Sequence, residues 1–193
     1  TPLCPGLTAK KYGRPTYGTI PILLHAPQNR IRCCWIITQS FTVFDILKIG
    51  VGPSSSHTLW PWRAAERLLK ELNENKIFEN VETVKVDLYG SLSLTGTGHA
   101  TDLAVMLGLS GQDPEYIPVE NISGIIKTIE NTNTLNLNAK KIIPFSFLTD
   151  IVFNKNFLPF HANGLKFTAF LDTNTIYDST FYSIGGGFVV KEE

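Results

Sequence analysis

The chain has 193 residues, of which 43% are hydrophobic and 18% charged, and its formal net charge is +0. This composition is ordinary for a globular protein and provides no positive field that would attract nucleic acid or anionic lipid. No apolar run approaches the roughly 20 residues that cross a bilayer, and no secretory signal precedes the domain, so we expect a cytoplasmic protein without a membrane partner.

Residues 1–38 differ in composition from the rest of the chain. They contain five prolines, and their five basic residues have no acidic partner before Asp45. Such a segment is typical of a poorly ordered arm, so we predict an N-terminal arm over residues 1–38 and a folded domain over residues 39–193. The stretch 31–37 has the alternative interpretation of a short strand.

The three cysteines of the chain are Cys4, Cys33 and Cys34. An odd number with two adjacent residues fits neither a disulfide framework nor a CxxC metal clip. A conventional iron–sulfur cluster needs several thiolates. Any such cluster would therefore be held mostly by another domain or another chain.

Helical periodicity of the apolar residues predicts three helices after the arm. The first has a proline suited to its first turn, and the third has isoleucines at positions i, i+3, i+4 and i+7. The predicted helices cover residues 61–75, residues 98–107 with Gly108 as the stop, and Ile122 to Ile129, after which residues 131–138 break the pattern.

Alternation of apolar and polar residues predicts the strands. Val84, Val86 and Leu88 alternate with polar neighbours, and a glycine-bearing loop is expected to follow them. Pro144 argues against a central position for the strand-like segment 143–153. The last third predicts successive hairpins, with strands at residues 165–171, 176–184 and 188–190 and turns at Asn163–Gly164 and Asp172–Asn174.

The predicted order is helix, strand, helix, helix and then strands. This order differs from the repeating strand–helix–strand unit of a doubly wound sheet. We therefore predict an α+β fold with antiparallel strands at the end of the chain.

The run GVGPSSSHT, residues 50–58, lies just before the first predicted helix. A helix start offers unpaired backbone N–H groups, so nearby hydroxyls can help to surround a carboxylate or phosphate; they belong to Ser54, Ser55, Ser56 and Thr58. His57 lies among them, and histidine is the side chain that accepts a proton at neutral pH without a large shift. The alternative is that the hydroxyls cap the helix and His57 is solvated.

Three further runs combine histidine, hydroxyl or glycine residues. GSLSLTGTGHATD, residues 90–102, lacks the third glycine of a dinucleotide fingerprint. In it, His99 and Asp102 either face a shared pocket or make a structural hydrogen bond. His161, in the run FHANG at a predicted hairpin turn, either projects into that pocket or meets water. The triple glycine of YSIGGG, residues 182–187, permits either a close backbone approach or a strand bend.

Taken together, these four runs resemble the beta domain of the iron–sulfur L-serine dehydratases. The match begins near Phe41 and follows the family order and spacing through SFTVFDILKIGVGPSSSHT, GSLSLTGTGHATDLAVMLGL, FHANGLKFTA and FYSIGGGFVV. Each run is longer than a short motif, so chance agreement of all four is improbable.

The resemblance implies an enzyme that converts L-serine to pyruvate and ammonia, with a [4Fe–4S] cluster held by the cysteines of a separate alpha domain. A cluster iron then acts as a Lewis acid on the serine hydroxyl while a base removes the α-proton. His57 is expected as that base or as a close substrate contact. The expected pocket residues are Ser54, Ser55, Ser56, Thr58, His99, Asp102, His161 and Asn163.

The same resemblance bears on partners and on the fold. It implies a chain that is inactive alone, that needs an alpha domain or subunit, and that forms a homodimer or a hetero-oligomer. It also implies a mixed sheet with helices on one face, related to the anion-binding regulatory domain of some phosphoglycerate dehydrogenases. A non-catalytic domain that binds a small anionic effector is therefore the alternative function.

Several positions depart from the family pattern. Trp60 and Trp62 stand where glycine and methionine are usual, so a bulky indole is expected to narrow or reshape the pocket. The other departures are Ala100 for a glycine, Ala162 for a proline, and Thr97 and Leu103 for lysines. Loss of two cations weakens any phosphate-binding role.

Overall fold

A computed structural model describes residues 54–183 and 189–192, with the side chains of residues 96–99 excepted. The chain divides into the units Thr1–Thr42 and Val43–Glu193, and the fold described here is that of the second unit. The predicted arm, the start of the GVGPSSSHT run and most of the YSIGGG run lie outside the described residues.

The described residues form helices first and strands mainly later. The helices are α1 (Trp60–Glu74), α2 (Ser91–His99), α3 (Thr101–Leu109), α4 (Val119–Thr132) and α5 (Phe147–Asp150), with a π-helical turn at Ser55–Leu59 and a 3-10 turn at Phe78–Asn80. The strands are β1 (Thr83–Gly90), β2 (Thr134–Leu137), β3 (Lys141–Pro144), β4 (Ile151–Asn154), β5 (Asn163–Leu171), β6 (Asn174–Ser183) and β7 (Val189–Lys191). Of these helices, none is long and apolar enough to cross a membrane.

Five strands form one sheet in the order β4-β1-β5-β6-β7, and β2 and β3 form a separate ribbon. β1 pairs parallel with β4 and antiparallel with β5. The remaining pairs of the large sheet are antiparallel. The predictions of an α+β fold and of a mixed sheet are therefore confirmed.

The helices cover one face of this sheet, as expected. Val84, Val86 and Leu88 of β1 are buried in a single hydrophobic core together with residues of α1 and α3. Lys85 and Asp87, which point to the opposite face, are only half-buried. Because successive residues of a strand point to opposite faces, the alternation in the sequence correctly predicted which residues of β1 are buried.

The first and third predicted helices are confirmed, together with two predictions about strands. α1 matches the predicted span within one residue at each end, and α4 buries Ile126 and Ile129 of the isoleucine stripe. Pro144 ends β3 in the two-stranded ribbon, away from the centre of the large sheet. β5 and β6 form the predicted hairpin, whose turn contains Asp172 with a φ of 51°.

The second predicted helix was wrong in its extent. The glycine-bearing loop expected after β1 is instead helix α2, and Ala100, with a φ of 56°, separates α2 from α3. Gly108 lies inside α3 rather than ending it, because α1 and α3 approach closely there. A Cβ at Gly108 would lie 2.7 Å from the carbonyl oxygen of Trp62. Helix α3 ends instead at Leu109 and is capped by Ser110, just before Gly111, which has a φ of 74°.

One turn prediction was also wrong. Asn163, opposite Gly90, and Gly164 lie inside β5 rather than in a hairpin turn. β4 and β5 flank β1 on opposite sides, so residues 155–162 connect two strands that are not paired with each other. Helix α4 ends at Thr132, so the predicted break of the helical pattern over residues 131–138 is correct, and residues 134–137 form β2.

Candidate active site

A π-helical turn carries His57 into the start of α1. Ser54 has an extended backbone, with a φ of −145°, and its side-chain oxygen accepts a hydrogen bond from the backbone N–H of His57 at 3.3 Å. The carbonyl oxygen of Ser54 accepts from the N–H of Thr58 at 2.9 Å and of Leu59 at 3.3 Å. The second bond spans five residues, which is the π-helical pattern that recurs at functional sites. The capping interpretation therefore holds for Ser54.

The imidazole of His57 lies between two hydroxyl groups. Ser56 Oγ is 2.9 Å from His57 Nδ1, and Ser91 Oγ is 3.0 Å from His57 Nε2. Ser56 Oγ is also 3.3 Å from Ser54 Oγ. His57 is half-buried and hydrogen-bonded, so the interpretation of a fully solvated histidine is wrong.

The junction between β1 and α2 explains why Ser91 reaches His57. Gly90 has a φ of 56°, and a Cβ at this position would collide with the carbonyl oxygen of Ala162. The N–H of Gly90 donates to Asn156 O at 2.9 Å, and the N–H of Ser91 donates to Ala162 O at 3.0 Å. Glycine is therefore required at this turn. The hydrogen bond from Ser91 to Ala162 joins the run GSLSLTGTGHATD to the run FHANG.

The third run lies at the same end of β1. His161 Nδ1 accepts a hydrogen bond from the backbone N–H of Asn163 at 3.1 Å, and Asn163 is paired with Gly90 across the sheet. The Oδ1 atom of Asn163 is buried and has no hydrogen-bond partner among the described residues. The first three runs thus converge where β1 ends.

Asp102 occupies the first turn of α3, where it makes a structural hydrogen bond. Its Oδ1 accepts from the N–H of Leu103 at 2.9 Å. Burial raises the pKa of Asp102, although bonds from the backbone partly oppose this shift. The neighbouring Thr101 hydroxyl donates to the carbonyl oxygen of His57 at 2.7 Å, which joins α3 to the π-helical turn. The side chain of His99 lies outside the described part of the chain.

The four hydroxyl residues of the first run lie in different environments. Ser54 and Ser56 are half-buried beside His57, Ser55 is exposed, and Thr58 is buried in the helix layer. The structure therefore brings Ser54 and Ser56 together with the imidazole but does not place all four hydroxyls around one point.

Both unusual tryptophans are buried in the core. Trp60 and Trp62 are 0% and 1% exposed. The indole N–H of Trp60 donates to Tyr182 O at 3.1 Å, and that of Trp62 donates to Gln112 O at 2.6 Å. Neither ring lines an open surface, so neither narrows a pocket directly, and the expectation that an indole reshapes the pocket stays a prediction.

Ser91 is the site residue that sequence reasoning missed, although it belongs to the second run. The available signal was its position as the first residue after a buried strand and a glycine. Its contact with His57 joins residues 34 apart in the chain, which no local pattern specifies.

The described residues contain no group of three or more histidine, cysteine, aspartate or glutamate side chains able to hold a metal ion. A cavity of about 270 Å³ is lined by residues of α4 and of the β2–β3 ribbon, including Ile125 and Ile142, and by none of the residues around His57. The imidazole of His57 and its partners Ser56 and Ser91 are half-buried, so this end of β1 is partly exposed in the described structure.

Comparisons with known proteins agree on one family. The family model described as serine dehydratase beta chain matches residues 42–193. L-serine dehydratase from Haemophilus influenzae is 43% identical over 153 residues, which are 78% of this chain and 34% of that protein. L-serine dehydratase 1 from Escherichia coli is 40% identical over 153 residues, 79% of this chain and 34% of that protein. L-serine dehydratase from Streptomyces coelicolor is 40% identical over 157 residues, with 80% and 34% covered. The chain therefore spans about a third of the length of these relatives.

Proposed function

Because this chain belongs to the serine dehydratase beta chain family, we propose that it supplies one wall of an active site that converts L-serine to pyruvate and ammonia. An alpha domain or subunit supplies the other wall. The support is that the imidazole and its hydroxyl partners lie together at the end of β1, where they are half-buried and remain partly open to a ligand or partner.

His57 is the residue that we propose as the base. In the reaction, the α-proton and the β-hydroxyl of L-serine are lost, which gives aminoacrylate and water. Aminoacrylate tautomerises to an imine, and water hydrolyses the imine to pyruvate and ammonia. His57 accepts the α-proton at its unprotonated ring nitrogen, and the serine hydroxyl that donates to that nitrogen turns away as the substrate binds. The role requires a neutral imidazole held in a fixed orientation. The hydrogen-bonding distances to Ser56 and Ser91 support such an orientation.

The substrate contacts are proposed from the residues around this imidazole. The hydroxyl of Ser56 is within reach of a ligand that contacts His57, and the buried Oδ1 of Asn163 lacks a partner within the described structure. A buried unpaired acceptor is unfavourable, so a donor such as a substrate ammonium group would satisfy it. The remaining predicted contacts, Ser54, Ser55, Thr58, His99, Asp102 and His161, stay predictions.

The iron–sulfur cluster does not fit the described part of this chain. No described residue is a cysteine, and no cluster of other ligands is present there. Cys4, Cys33 and Cys34 are one thiolate short of the four that such clusters ordinarily use. We therefore propose that the alpha domain or subunit holds the [4Fe–4S] cluster, and we assign no step of the cluster's chemistry to this chain.

The test is pyruvate formation from L-serine under anaerobic conditions, with the chain alone and with a cluster-bearing alpha partner. We expect turnover by the complex only. His57→Gln and His57→Ala should lower kcat of the complex by about 10²–10⁴-fold, the usual contribution of a general base. Glu74→Gln, at the exposed far end of α1, is the control and should leave kcat unchanged.

Two results would contradict this proposal. Full turnover by the chain alone would show that no second wall is needed. Unchanged kcat in the His57→Ala complex would remove the proposed base. Tight binding of serine or of a phosphorylated metabolite by the chain alone, measured by titration calorimetry, would favour a regulatory domain instead if the complex also made no pyruvate.

A further inference from the structure

We infer that Ser91 is a positioning residue of this site, which holds the imidazole of His57 from the α2 side while Ser56 holds it from the other. The expected effect of Ser91 on catalysis rests on the proposed function. Its structural consequence, the orientation and protonation pattern of the imidazole, can be measured on this chain by itself.

The first argument is geometric. Ser56 precedes His57 in the π-helical turn, whereas Ser91 begins α2, so the two ring nitrogens are held by hydroxyls on different elements. The distances are 2.9 Å to Nδ1 and 3.0 Å to Nε2, both normal for hydrogen bonds. Opposite partners oppose rotation of the ring about its bond to Cβ, whereas a single partner leaves that rotation less restricted.

The second argument concerns which nitrogen carries the proton. A neutral imidazole donates at one nitrogen and accepts at the other. Either Ser56 donates to Nδ1 while Nε2–H donates to Ser91, or Nδ1–H donates to Ser56 while Ser91 donates to Nε2. Both hydroxyls affect the relative stability of the two tautomers, so removal of the Ser91 hydroxyl changes the ratio of the tautomers.

The third argument is that Ser91 is itself firmly placed. Its backbone N–H donates to Ala162 O, and Gly90 provides the left-handed turn on which this contact depends. These restraints involve the backbone, so Ser91→Ala removes the hydroxyl and leaves them in place. Alanine is also the best helix former, which suits the first residue of α2.

The first experiment uses nitrogen-15 NMR of the His57 ring in the full chain. We expect one dominant tautomer in the wild type. In Ser91→Ala, we expect a changed tautomer ratio and faster exchange between orientations of the ring. Ser91→Thr keeps a hydroxyl and should restore the wild-type pattern. Ser93→Ala, at a half-buried serine two residues further along α2, is the matched control and should match the wild type. Backbone amide spectra show whether each variant retains the fold.

The second experiment uses the complex with the alpha partner. Ser91→Ala should lower kcat about 10- to 100-fold, the effect of losing one hydrogen bond to a group that becomes charged, and should change KM less than twofold. Ser91→Thr should recover most of kcat, and Ser93→Ala should not affect it. A loss confined to KM, or an equal loss in Ser93→Ala, would overturn the role.

The two proposals fail in different ways. If the wild-type complex makes no pyruvate, the proposed function is wrong, and the NMR comparison still decides whether Ser91 controls the imidazole. If the complex is active and Ser91→Ala retains both the wild-type tautomer ratio and the wild-type kcat, the inference about Ser91 is wrong while the proposed function stands.

Discussion

The backbone of Ala100 is strained in this fold. It adopts a left-handed backbone conformation, with φ 56° and ψ 35°, where α2 meets α3. A Cβ in this region crowds the neighbouring carbonyl oxygen and costs about 1–2 kcal/mol, which is why glycine is favoured there. Glycine would be free of this strain, so alanine has a definite physical disadvantage at this position, two residues before Asp102.

Ala100→Gly should therefore stabilise the fold. We expect the free energy of unfolding to rise by about 0.5–1 kcal/mol, because relief of the strain exceeds the added entropy of glycine in the unfolded chain. Urea unfolding measures this difference. Asn133→Gly is the control. Asn133 also has a positive φ of 49°, but asparagine tolerates that conformation, so this variant should not gain the same stability. A loss of stability in Ala100→Gly would show that the methyl group is needed for packing.

Residues of the site could be predicted from the sequence only in part. The position of His57 beside hydroxyls at a helix start was readable, because a serine-rich run before an amphipathic stretch is a local pattern. Ser91 could not be found in this way, since its contact depends on the left-handed Gly90 and on the approach of Ala162 from a distant segment.

At the scale of elements, the packing of α1 against α3 depends on Gly108. A Cβ there would lie 2.7 Å from Trp62 O and 2.8 Å from Ala65 Cβ, so the two helices approach closely at this point. The sequence suggested a helix stop because glycine is common at helix ends. Only the tertiary contact shows that this glycine serves packing.

Gly108→Ala and Gly124→Ala make a matched pair of helical substitutions. Both gain the higher helix propensity of alanine, worth about 1 kcal/mol. A Cβ at Gly124 in α4 meets nothing within 4 Å, so this variant should be more stable by about 0.5–1 kcal/mol. In Gly108→Ala, overpacking costs about 1–3 kcal/mol, which offsets or exceeds the gain in propensity, so this variant should be less stable than Gly124→Ala. Equal changes in urea unfolding would contradict the close approach of α1 and α3.

Periodicity predicted the regular elements well and the short or irregular ones poorly. α1, β1 and α4 follow their apolar patterns because each presents a single face to the core. α2 was missed because its sequence, SLSLTGTGH, has few strong helix formers and no amphipathic pattern. It becomes helical where β1 and the connection at residues 155–162 fix its first residue.

At the scale of the whole domain, a charged cluster holds the sheet edge to the helix layer. Glu71 of α1 accepts hydrogen bonds from Tyr177 of β6 at 2.6 Å and from Lys191 of β7 at 3.0 Å. Burial alone would raise the pKa of Glu71, but these bonds and the charges of Lys191 and Arg67 outweigh it and lower that pKa. Because Lys191 belongs to β7 and Tyr177 to β6, the cluster attaches both strands to α1.

Glu71→Gln should weaken this attachment. A carboxylate with a lowered pKa stabilises the fold above the ordinary pKa of glutamate, and this contribution is lost as the pH falls through the lowered value. We expect a loss of about 1–2 kcal/mol in the free energy of unfolding at neutral pH, and a smaller difference from wild type in acid. Glu74→Gln, whose ion pair is exposed, should change stability by less than about 0.5 kcal/mol. A difference for Glu71→Gln that is independent of pH would exclude the charge as its cause.

The strand order also determines when the domain can fold during synthesis. β1 lies between β4 and β5, and its partners begin at Ile151 and Asn163, more than sixty residues later in the chain. Pairing between such distant segments closes long loops and is slow compared with a local hairpin. β1 therefore stays unpaired until its partners at residues 151–154 and 163–171 have been synthesised, whereas the β5–β6 hairpin can close as soon as its own residues emerge.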